Sequence, residues 1–70
     1  MDADTLRNDP RTRKAEEFIT ELRAVYMKYG VRPTEIHVNP GDDFLTRFQK
    51  IKGMKVVKDH NVGLGTLALT

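Results

Sequence analysis

Seventy residues, 39% of them hydrophobic and 31% charged, restrict the chain to one small globular domain: too apolar for disorder, and without the roughly 18 continuous apolar residues of a membrane span. No cysteine occurs, which excludes disulfides and thiolate metal sites and leaves packing, within the chain or against a partner, to hold a domain that buries only roughly 60% of its unfolded surface. Twelve Lys and Arg against ten Asp and Glu leave a net charge of +2, which permits an anionic partner without demanding one.

Residues 1–8 are polar, with Leu6 the one bulky apolar side chain. They read as a flexible N-terminal tail ahead of a single α/β domain over 9–70, and they lack the apolar core of a signal peptide, so the expected compartment is the cytoplasm. A long helix is predicted from Asp9 to Tyr29. Asp9 can accept from the orphan donors of the first turn, and Pro10 suits the first helical position because its missing N–H would be unused there. Ala15, Phe18, Ile19, Leu22, Val25, Tyr26 and Tyr29 recur at offsets of three and four on one face, and Gly30 supplies a left-handed stop.

Val31-Arg32-Pro33 turns the chain, and Glu35-Ile36-His37-Val38 alternates as a short strand does. Asp42 or Asp43 can cap a second helix through Phe44, Leu45, Phe48 and Ile51, ending at Gly53. Met54–Asp59 reads as a second strand and Leu64–Leu69 as a third, joined by a turn at His60–Gly63 into a hairpin. The order α-β-α-β-β predicts an α+β fold: a long N-terminal helix packed on a three-stranded mixed sheet, with a short crossover helix between two parallel strands.

Candidate chemistry is sparse. His37 and His60 have no partner set of a kind that specifies a metal, and no cofactor motif is present. Serine is absent, and nothing in the sequence arranges a threonine beside a histidine and an acid, so an enzyme is not expected. The adjacent Asp42 and Asp43 are accounted for by a helix start. Gly63-Leu64-Gly65 opens a strand, not a helix, and lacks the Lys-Ser/Thr ending of a phosphate loop.

Two binding readings remain. The first is a protein-interaction module whose surface consists of apolar residues the fold leaves uncovered, with Tyr26, Tyr29, Phe44, Met54 and Leu64 as candidates because aromatics and Met are enriched at interfaces. A second copy of the chain, docked through the first helix, is one such partner. The second reading is nucleic-acid binding by Arg47, Lys50, Lys52, Lys55 and Lys58, which fall in twelve residues that contain no acid. Against it, Lys55 and Lys58 are an odd number apart, so a regular strand points them to opposite faces.

The run Lys28–Leu69, with Tyr29-Gly30-Val31, Ile36-His37-Val38-Asn39-Pro40, Gly53-Met54-Lys55-Val56-Val57-Lys58-Asp59 and Gly65-Thr66-Leu67-Ala68-Leu69, resembles small accessory proteins of tailed phages. It is also similar to a segment of tailed-phage major capsid proteins. The shared motifs are turn and strand punctuation, so no functional residue carries over, and 70 residues cannot contain a capsid subunit. What the resemblance implies is a phage-encoded factor in the host cytoplasm that binds a host or virion protein.

Overall fold

Asp9 and Pro10 start the first element as their chemistry directs. In the computed structural model, which describes residues 8–70, the Asp9 carboxylate accepts from the Arg11 backbone N–H at 2.8 Å and opens helix α1 (Pro10–Lys28). The seven residues before Asn8, most of the expected tail, lie outside the described residues. The Arg11 guanidinium closes back on the same carboxylate, with Nε 3.1 Å from Oδ1 and Nη2 2.8 Å from Oδ2. That cation holds the Asp9 carboxyl down to about 2. Arg11 also lies 4.2 Å above the Phe44 ring centroid, so the helix start is tied to the chain that follows the first strand. At the other end Gly30, at φ 81°, takes the left-handed conformation that ends the helix.

Strands β1 (Glu35–Val38), β2 (Lys50–Ile51), β3 (Met54–Lys58) and β4 (Leu67–Leu69) form one mixed sheet in the order β2-β3-β1-β4. β1 and β3 are parallel, with Ile36 beside Val56. β1 and β4 are antiparallel, with Ile36 beside Leu69. Side chains alternate across the sheet, so Ile36, Val38, Met54, Val56, Leu67 and Leu69 share one face, which α1 covers through Ala15, Ile19, Leu22 and Tyr26. Glu35, His37, Lys55, Val57 and Ala68 occupy the other. The α+β class is thus as expected: one long helix on a mixed sheet.

Two elements differ from the expectation. Where a second helix was predicted, the chain makes a single 3₁₀ turn over Leu45–Arg47. Asp42 does cap it, its Oδ1 accepting from the N–H groups of Phe44 at 3.0 Å and Leu45 at 2.7 Å, but Phe48 is already extended, at φ −91° and ψ 138°. Lys52 and Gly53 then both take positive φ, 52° and 80°, the mark of a two-residue hairpin turn. They fold Lys50-Ile51 back on Met54-Lys55, so the backbone groups a helix would pair internally are paired across a hairpin.

The last strand pairs with β1 and not, as expected, with the strand before it. Asn39, just past β1, donates through Nδ2 to the Val62 carbonyl at 2.8 Å, and Val62 is buried. This carries the connection across the end of β1 and returns the chain along that strand's free side. The sheet therefore has four strands where three were predicted.

Candidate binding surfaces

The five apolar candidates do not form one surface. Phe44 and Met54, expected as contact residues, lie instead in the core: Phe44 makes a T-shaped contact with Phe48, centroids 5.4 Å apart, and Met54 sits on the sheet face beneath the helix. Tyr26 is half-buried against that core. Tyr29 is 77% exposed and Leu64 68% exposed, at opposite ends of the domain. Tyr29 follows α1 and precedes β1, whereas Leu64 lies beside Gly41, beyond the end of β1.

A surface that the candidate set missed lies on the helix. Phe18 and Val25 are each 51% exposed, and with half-buried Leu22 and exposed Tyr29 they recur at i, i+4, i+7 and i+11. That spacing draws one apolar stripe about 16 Å long beside the stripe that enters the core. Seven apolar positions span too wide an arc for one sheet to cover, and Ala15, Ile19, Leu22 and Tyr26 win the contact. Exposed Lys14, Glu21 and Lys28, seven residues apart, border the stripe on its solvent side.

The basic candidates separate as well. Lys50, Lys55 and Lys58 line one groove of about 390 Å³ together with Phe48 and Val56. Lys52, at the tip of the hairpin, belongs instead to a groove along α1 shared with Arg13, Glu16, Glu17 and Glu21. Arg47 acts on the Asp9 carboxylate, which it helps to keep ionised. Register does set Lys55 and Lys58 on opposite faces, beside Glu35 and Val38 respectively. They border one groove because β2 begins only at Lys50, opposite Lys55, and beyond the Val56 N–H bond to the Gln49 carbonyl the β3 edge is open.

The open sheet face carries a polar cluster that sequence reasoning excluded. His37 donates from Nδ1 to Asp59 Oδ2 at 2.8 Å and from Nε2 to Glu35 Oε1 at 3.1 Å, while the Thr70 hydroxyl lies 3.1 Å from Nε2. A threonine, a histidine and an acid therefore do meet. Glu35 competes for the same ring nitrogen, and two carboxylates favour the imidazolium, in which Nε2 donates and cannot accept the Thr70 proton. The carboxylates sit on opposite sides of the ring and do not converge on a point, and no group of three metal-binding side chains forms among the described residues.

Hydrogen bonds donated to Asp59 and then to Glu35 raise His37 above its ordinary 6.5. The same bonds lower Asp59 from 3.8 and Glu35 from 4.5. The raised histidine stabilises the fold fully below 6.5, and its contribution is lost as pH rises through the higher folded value; the lowered carboxylates stabilise above their ordinary values and lose that contribution as pH falls. The cluster therefore contributes most between about pH 4.5 and 6.5. Melting temperatures of the wild type should decline from pH 6 to 9 relative to those of His37→Gln, and parallel curves for the two proteins would contradict this.

Comparison with known proteins leaves the surfaces to speak for themselves. No known family, curated protein or solved structure matches the chain. Among the described residues, no helix is long and apolar enough to cross a membrane.

Proposed function

We propose that this chain is a non-enzymatic protein-docking module whose contact surface is the outer stripe of α1. One observation carries the reading: Phe18, Val25 and Tyr29, large apolar side chains on one helix flank, stay half or more exposed in a domain whose core is otherwise closed by the same helix. A contiguous apolar stripe with a charged border has the anatomy of an interface centre and its rim. Exposed aromatics are the residues that most often dominate binding energy. The helix presents them rigidly, so little ordering cost falls on association. The partner we propose is a host or virion protein, with a second copy of the chain as the competing occupant.

The double variant Phe18→Glu/Val25→Glu tests the reading. Both positions are half exposed and glutamate is a good helix former, so the melting temperature should move by no more than roughly 5 °C. Capture of the wild type's partner should fall at least about tenfold, the loss of one modest contact of the kind found at interface centres. Equal capture by wild type and variant sinks the proposal, and so does a wild type whose only partner by sedimentation is itself.

A further inference from the structure

We infer that the open edge of β3 is a binding groove for single-stranded nucleic acid, with Lys50, Lys55 and Lys58 holding phosphates and Phe48 offering a ring to a base. The groove of about 390 Å³ is lined by these four side chains with Val56, Thr46 and Gln49, and by no acid. Its character is set by contrast: the groove along α1 sets Arg13 and Lys52 against Glu16, Glu17 and Glu21, so its charge is balanced internally.

Bringing three like charges to one concavity is unfavourable by itself, and Lys50 and Lys55 are direct cross-strand partners, an arrangement that repels. Glu35, the register neighbour of Lys55, bonds His37 on the open face and also feels the Lys55 charge, but it does not line the groove. An anion entering the groove would relieve the repulsion.

The apolar floor narrows the class of anion. Phe48 is half-buried and makes a T-shaped contact with Phe44, yet it still borders the groove beside Val56. An aromatic surface among lysines is the combination that holds single strands, with bases on the ring and the backbone on the cations. Along β3, Lys55 and Lys58 are about 10 Å apart at strand rise, a spacing suited to successive contacts on an extended backbone and not to one isolated phosphate. An acidic peptide supplies the charge but no planar group for Phe48.

The test is fluorescence anisotropy of a labelled oligothymidylate of about 12 nucleotides, titrated with the full chain from low to moderate salt. Saturable binding is expected, with log K falling against log salt at a slope of about −2, as three phosphate contacts on a single strand require. Lys55→Glu/Lys58→Glu should abolish it, whereas Lys14→Glu/Lys52→Glu should keep most of it. Both variants change the net charge equally, from +2 to −2 (two reversals of two charges each), so a difference between them reports the groove and not the overall field. Phe48→Leu, which keeps an apolar side chain against the core, should weaken binding about tenfold. No binding by wild type, equal loss in both charge variants, equal affinity for a duplex of the same length, or equal affinity for a labelled oligoglutamate would each overturn the assignment. Because the groove and the α1 stripe share no residue, failure here leaves the docking proposal standing, and the reverse holds too.

Discussion

Ile36→Ala should cost about 2–5 kcal/mol of stability. A chain of 70 residues has roughly 4–10 kcal/mol in total, so the variant should melt some 10–30 °C lower and could be largely unfolded at 37 °C. Ile36 is fully buried. It lies on β1, the strand with a neighbour on both sides, beside Val56 on one and Leu69 on the other. Above it the helix contributes Ile19, also fully buried. A cavity at this point is walled by hydrogen-bonded strands on two sides and cannot collapse without shifting backbone, the condition under which truncation costs most. Thermal unfolding followed by circular dichroism reads the effect, and a shift below about 5 °C would show that Ile36 is not the centre of the core.

Asp42→Ala should cost about 1–2 kcal/mol, or roughly 5–15 °C. The Asp42 side chain satisfies the N–H groups of both Phe44 and Leu45, which carry two core side chains. Without the carboxylate, two backbone donors in a partly buried turn must find water or move, and moving them withdraws Phe44 from beneath Arg11. Asp42→Asn, which keeps an accepting oxygen, should recover most of the loss. Equal destabilisation by the two substitutions would show that the negative charge, and not the pair of hydrogen bonds, is what the turn requires.

The same aspartate shows where local reasoning succeeds and where it stops. Asp42 was legible as a cap, because capping depends on a residue and its next few neighbours. The length of the element it opens was not. Phe44, Leu45, Phe48 and Ile51 carry helical spacing, but Lys52-Gly53 encodes a tight hairpin, with lysine in the place usually given to Asn or Asp. A pairing partner at Met54-Lys55 decided between the two. The helix at Pro10–Lys28 was legible because Asp9, Pro10 and Gly30 mark its ends whatever it packs against.

The surfaces were less legible than the elements, for a physical reason. Periodicity identifies the apolar side of a helix but not how much of that arc a sheet covers, so Phe18 and Val25 read as core while Phe44 and Met54 read as candidate contacts. Parity placed Lys55 and Lys58 on opposite faces, and the register agrees; the groove forms because an adjoining strand is short, which no local pattern records. His37 and Glu35 are neighbours on one strand, but Asp59 joins them only through the parallel alignment of β1 with β3.

That alignment also governs cooperativity. β1 meets β3 across 20 residues, from 35 to 55, and β4 across 33, from 36 to 69. A fragment ending at Gly53 would hold the helix and a β1 strand bare on both sides. A fragment starting at Met54 would hold two strands that are not neighbours in the sheet. The first fragment keeps most of the core side chains but loses Met54, Leu69 and both strands that flank β1, so neither half should persist while the other is undone, and the described chain should melt as one indivisible, two-state unit.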